Sequence, residues 1–158
     1  PPSNCCEGKT MEIQPDFRDL LALFDRNGVE CLIVGAYALA RHGAPRYTGD
    51  LDILVHADTA NAARILKSLK EFGFGSLGLK AEDFQQPGQV VQLGFPPVRI
   101  DLLTSITGVS WEEALAGSVE DFLGDLPVRY LGIRELIRNK KALARKKDLA
   151  DLEAIGAE

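Results

Sequence analysis

The chain has 158 residues, 46% apolar and 26% charged, enough for one domain with a real core and without the bias of a disordered or fibrous protein. It contains no apolar run long enough to cross a bilayer, and its net charge of −5 disfavours broad non-specific binding to nucleic acid. Three cysteines, two of them adjacent (Cys5 and Cys6), form neither a disulfide framework nor metal-ligand spacing. With no basic region and apolar stretch at the start, the expectation is a cytoplasmic protein with no membrane partner. The charge is unevenly spread. Arg134 to Lys147 holds seven basic residues and one acid, a local +6 that leaves −11 for the rest.

In chain order, residues 1–12 read as a disordered leader and 13–158 as a single domain. Gly8-Lys9-Thr10 is like the end of a phosphate-binding P-loop, but Ser3 stands where the motif needs glycine and no strand precedes it. Asp16 caps a helix to about Arg26 with Phe17, Leu20, Leu21 and Phe24 on its apolar stripe. Cys31 to Val34 is a buried strand, Tyr37 to His42 a short helix, and Leu51 to Val55 the second strand. Asp58 or Thr59 caps a helix that runs to Gly73. The segment from Phe74 to Pro87 reads mostly as loop. Val90–Leu93 and Val98–Leu103 read as a hairpin, and Trp111–Ala116 as a helix capped by Ser110. Val128–Tyr130 reads as a short strand, at an edge because of Pro127. Gly132 to Lys146 is a basic helix, and a last helical segment starts at Asp148. This order predicts an α/β (α+β) domain with a mixed sheet flanked by helices and a basic helix near the C-terminus.

The chemistry concentrates at Asp50-Leu51-Asp52-Ile53. Side chains alternate along a strand, so Asp50 and Asp52 share one face, their backbones about 6.6 Å apart, while Leu51 and Ile53 face the core. Two acids so close on an apolar strand repel each other, and a bound cation explains them. A third acid, Asp101, interrupts the apolar strand Val98-Arg99-Ile100-Asp101-Leu102-Leu103, where a lone carboxylate is unfavourable unless paired or metal-bound. Asp50, Asp52 and Asp101 are therefore candidate ligands for two Mg²⁺ ions, with Mn²⁺ as a substitute. The competing reading is that Asp101 simply pairs with Arg99, two residues away on the same face. Gly35 follows the first strand directly, where a glycine lets a phosphate approach the backbone N–H groups of a helix start.

The run Val-Gly-Ala-Tyr-Ala-Leu-Ala-Arg-His-Gly-x-Pro-Arg-Tyr-Thr-x-Asp-Leu-Asp, with a later apolar-flanked Asp, resembles the nucleotidyltransferase superfamily of DNA polymerase β. Gly35, Asp50, Asp52 and Asp101 match the family pattern. Ala36 stands where members carry Gly or Ser, and its backbone N–H can still meet a phosphate. The longer run looks like small bacterial nucleotidyltransferase-like proteins related to abortive-infection toxins, as do Arg138-Asn139-Lys140 and Lys147-Asp148-Leu-Ala-Asp151-Leu. The resemblance covers residues 16 to 155. It implies the nucleotidyltransferase fold and transfer of an NMP from an NTP to an acceptor hydroxyl, with pyrophosphate leaving. The acceptor is left open among small molecules, tRNA ends and proteins, and so is assembly as a homodimer or with a partner protein.

Other residues carry open alternatives. On the basic helix, Leu136, Ile137, Leu143 and Ala144 define an apolar arc that includes Lys140. That lysine reaches either the triphosphate or a carboxylate. Arg46, just upstream of the paired acids, suits bidentate phosphate contact, and Thr48 either binds phosphate or caps a turn. His42 and His56 read as structural, and Tyr37 as packing. Two rivals stand beside transfer: a catalytically inactive module that binds a nucleotide or a protein of the toxin–antitoxin type, and a two-metal nuclease.

Overall fold

The computed structural model describes residues 15–44, 49–95 and 98–157. The leader expected at 1–12, the Gly8-Lys9-Thr10 stretch, and the candidate phosphate ligands Arg46 and Thr48 lie outside the described residues. The elements in order are α1 (Pro15–Arg26), β1 (Cys31–Val34), α2 (Gly35–Arg41), β2 (Asp50–Val55), α3 (Thr59–Phe72), β3 (Val90–Phe95) and β4 (Val98–Leu103). They are followed by α4 (Trp111–Ala116), β5 (Val119–Leu123), β6 (Leu126–Tyr130), α5 (Ile133–Leu143) and α6 (Lys146–Ala154).

The six strands form one mixed sheet in the order β3-β4-β2-β1-β6-β5. β2 runs parallel to β4 and antiparallel to β1, which in turn runs parallel to β6. The hairpins β3–β4 and β5–β6 close the two ends. The apolar stripe of α1 is buried as its spacing demands: Phe17, Leu20, Leu21 and Phe24 are at most 4% exposed, and the helix packs on α3. Leu51 and Ile53 are fully buried, which leaves Asp50 and Asp52 on the other face of β2.

Local chemistry sets most of the boundaries. Asp58 caps α3 by accepting from the Asn61 N–H at 3.2 Å, and Gly73 ends it in the left-handed region at φ 106°. Ser110 and Glu113 form a reciprocal capping box on α4, with bonds of 3.1 and 2.9 Å. Among the described residues no helix is long and apolar enough to cross a membrane.

Three expectations need correction. The stretch after α3 is not simply loop: two short 3₁₀ turns, Gly75–Leu77 and Ala81–Phe84, bring Phe84 into the core at 0% exposure. Pro127 does not mark an edge strand. β6 lies inside the sheet, and the edge is β5, which the sequence pattern did not suggest. Pro127 is tolerated because β1 registers with β6 at Tyr130, three residues further on. The basic helix also ends sooner than expected. Ala144 turns left-handed at φ 53°, and a new helix begins at Lys146. Asp148 drives that break by folding back to accept from the Arg145 N–H at 3.1 Å and the Arg145 Nε at 2.6 Å.

Candidate active site

The site is built by strand register. Asp52 lies opposite Val34 of β1 on one side and opposite Asp101 of β4 on the other, and Asp50 lies opposite Arg99. Partners directly across a ladder project from the same face, so Asp50, Asp52, Asp101 and Arg99 form one charged patch. Gly35 follows Val34 immediately and therefore sits beside the Asp52 carboxylate.

That neighbour explains the glycine. Gly35 has φ 69°, and a β-carbon added there would collide with the Asp52 Oδ2 and stand 2.9 Å from its Cγ. Both the backbone conformation and the close approach exclude a side chain. Gly35→Ala is expected to cost about 2 kcal/mol of stability, read by urea denaturation. Part of that cost should vanish in an Asp52→Ala background, where the carboxylate clash is gone and the dihedral strain and a 3.0 Å approach to the residue-52 Cβ remain. Purely additive losses in the double variant would refute the steric coupling.

The electrostatics are uneven. Arg99 donates from Nε to Asp101 Oδ1 at 3.0 Å, and from a terminal nitrogen to Asp50 Oδ2 at 3.1 Å and Asp101 Oδ2 at 3.3 Å. These contacts, led by the hydrogen bond to Asp101, raise the guanidinium above its ordinary range. Among the described residues, no cation forms an ion pair with Asp52. Burial first, then the charges of Asp101 and Asp50 and a hydrogen bond with Asp101, push its carboxyl up to about 6, opposed by Lys147.

Asp52 and Asp101 are the pair that suits a hard divalent cation: oxygen donors on one face, directly opposite, with Asp52 short of positive charge. The expected three-carboxylate cage is not assembled. Arg99 bonds Asp50 and Asp101, and among the described residues no three His, Cys, Asp or Glu side chains are gathered as a metal-binding cluster. Asp101 pairs with Arg99, as one of the two sequence readings expects, and it also lies opposite Asp52.

Asp52 and Asp101 line an open cleft of about 510 Å³ together with Gly35, Ala36, Lys140, Arg145 and Lys147. Lys140 is buried as its helical phase predicts, at 5% exposure. Its ammonium contacts Asp148 Oδ1 at 3.4 Å and lies 2.9 Å from Asp151 Oδ2, so its carboxylate partners are on α6 rather than β2. Sequence reasoning missed Arg99 as a ligand of two acids and Lys147 as the cation acting on Asp52. The first was visible in part, as a same-face neighbour of Asp101. The second depends on the turn at Ala144, which no periodicity announces.

The remaining candidates are structural. Tyr37 is buried edge-on against Phe17, with ring centroids 6.0 Å apart. His42 donates from Nε2 to the Leu131 carbonyl at 2.8 Å, while His56 meets Glu30 at 2.6 Å and stacks on Trp111.

No protein-family model matches the chain, and no curated protein does. Solved structures do. The antibiotic-resistance factor ANT(2'')-Ia superposes with a TM-score of 0.56 at 12% identity, covering 89% of this chain and 80% of that one. A putative nucleotidyltransferase from Thermotoga maritima, TM1012, gives 0.55 at 16% identity, covering 90% and 93%. The lincosamide antibiotic adenylyltransferase LnuA, in a lincomycin-bound structure, gives 0.54 at 11% identity, covering 90% and 96%. Likeness at this level establishes the fold: the chain has the mixed-sheet architecture of nucleotidyltransferases. The abortive-infection likeness rests on sequence motifs alone.

Proposed function

We propose that this protein transfers an NMP from an NTP to an acceptor hydroxyl. The observation that carries the proposal is the juxtaposition of Gly35, Asp52 and Asp101 in a cleft that Lys140, Arg145 and Lys147 also line. An anionic, polydentate substrate suits this lining, with its triphosphate toward Lys147 and Arg145 and its metal-bearing edge toward the acids. The nucleotidyltransferase fold supports the same reading, since the architecture is shared with an adenylyltransferase that binds an antibiotic.

Asp52 and Asp101 would hold a divalent cation, Mg²⁺ or Mn²⁺, with Asp50 joining them where it is released from Arg99. When bound, the ion neutralises the charge that builds up during phosphoryl transfer. The chain's own residues do the positioning. Gly35 and Ala36 leave room for phosphate oxygens next to Asp52, and Lys147 and Arg145 bind the leaving pyrophosphate. Lys140 borders the cleft and fixes α6 through Asp148 and Asp151. Asp101 accepts the acceptor's proton as its oxygen bonds to the α-phosphorus and the bond from that phosphorus to the β-phosphate oxygen breaks.

The decisive experiment incubates purified protein with Mg²⁺, each of the four radiolabelled NTPs in turn, and a cell lysate. Mass spectrometry and gel autoradiography then follow any species shifted by one NMP. A labelled acceptor that disappears with Asp52→Asn is the expected result. Binding of NTP without any transfer would favour the inactive nucleotide-binding module. Cleavage of RNA or DNA with Mn²⁺ would favour the nuclease.

A further inference from the structure

Among the described residues, Arg99 is a basic side chain that bonds both Asp50 and Asp101, and the cation chemistry above gives it no positive role. Its position is set by the fold: opposite Asp50 on the parallel neighbour β2 and two residues before Asp101 on its own strand. One guanidinium thereby spans both carboxylates with three hydrogen bonds of 3.0 to 3.3 Å. Its side chain is only 26% exposed and that of Asp101 only 11%, so solvent screens the pair weakly. Asp52, between those two acids in register, receives no bond from Arg99 in this arrangement.

We propose that Arg99 is a built-in counter-cation that competes with the divalent metal for Asp50 and Asp101, and so sets the concentration at which the site loads. The inference rests on the reading of Asp52 and Asp101 as a cation site. A carboxylate oxygen that accepts from a guanidinium has its lone pair directed there. A dication approaching the same oxygens must displace the hydrogen bonds and also overcome repulsion from the fixed positive charge. The arrangement partly neutralises the acidic patch when no substrate is present. A metal arriving with a nucleotide has an advantage over free metal, because the displaced guanidinium then has phosphate oxygens to bond beside Asp101, which lines the cleft. Loading of metal and of nucleotide is thereby coupled, and the coupling is reciprocal.

The test is Mn²⁺ binding by electron paramagnetic resonance, first with the metal alone and then with a non-hydrolysable NTP analogue. Wild type, Arg99→Gln, Arg99→Lys and Asp52→Asn are compared, and circular dichroism checks that each is folded. Arg99→Gln is expected to bind free Mn²⁺ about tenfold more tightly, the effect of removing one nearby charge, and to lose most of the enhancement by the nucleotide. Arg99→Lys keeps the charge and is expected to stay within about threefold of wild type. Unchanged or weaker Mn²⁺ binding in Arg99→Gln, while Asp52→Asn abolishes it, would overturn the role of Arg99 and leave the cation site standing. Mn²⁺ binding that Asp52→Asn does not affect would overturn the cation site itself, and the competition with it.

Discussion

Asp52→Asn is expected to reduce the proposed NMP transfer by roughly a thousandfold or more and, at the same time, to make the folded protein more stable at neutral pH. The two effects share one cause. Burial and the neighbouring charges of Asp101 and Asp50 hold the Asp52 carboxyl at about 6, against an ordinary value of 3.8. Because the folded-state value lies above the unfolded one, the native state binds more protons between those two pH values. Stability therefore falls as pH rises through that window, and the cost is fully present above it. The shift sets an upper bound of about 3 kcal/mol, and relaxation and water reduce it. Asparagine cannot ionise, so its variant should lack this decline. Urea denaturation of both proteins across the window measures it directly. A variant less stable than wild type at neutral pH would contradict the assignment of Asp52 as an uncompensated acid. A variant that still transfers NMP would contradict the function.

Lys140→Met should unfold more readily by about 3–5 kcal/mol, the usual cost of removing one partner from a buried ionic cluster. Lys140 meets Asp148 and Asp151, which are 0% and 5% exposed. Burial alone would raise the Asp148 carboxyl. Bonds from the Arg145 side chain and backbone, with the Lys140 charge, bring it below the usual range. Loss of Lys140 removes the 2.9 Å ion pair of Asp151 and the 3.4 Å contact of Asp148, which keeps Arg145. The double variant Lys140→Met/Asp151→Leu should accordingly recover much of the loss, since a well-packed apolar pair can replace a buried ion pair. Guanidinium melts of the single and double variants decide the matter, and a single-variant cost below about 1 kcal/mol would refute the cluster's importance. The cluster matters for function because Asp148 also fixes the start of α6, the helix that carries Lys147 to the cleft.

Much of this was legible in the residues. The two-residue period at Asp50-Leu51-Asp52-Ile53 dictates a shared face for the acids whatever the strand pairs with, because alternation is a property of the extended backbone. Gly35 after an apolar run signalled a turn that no β-carbon fits, and the helical phase of Lys140 placed it on the buried side before any partner was known. These signals are local, carried within a few residues by backbone geometry and periodicity.

What lay outside that range was decided by tertiary contact. Val119-Glu120-Asp121-Phe122-Leu123 is a poor strand by composition. It becomes β5 by pairing antiparallel with β6 along its whole length, while Asp121 meets Arg41 of α2 at 2.6 Å, a partner that exists only once the chain has folded. Arg99 has two same-face acids within reach, but only the parallel register of β2 and β4 makes it bridge both. By itself, then, the sequence determined which residues form the charged face and where the backbone must be bare beside it. The tertiary structure decided how those charges are shared, with Arg99 taking Asp50 and Asp101, Lys140 taking Asp148 and Asp151, and Asp52 left as the acid in need of a cation. Pairing between charges depends on distances across strands and helices, and sequence spacing does not encode those distances.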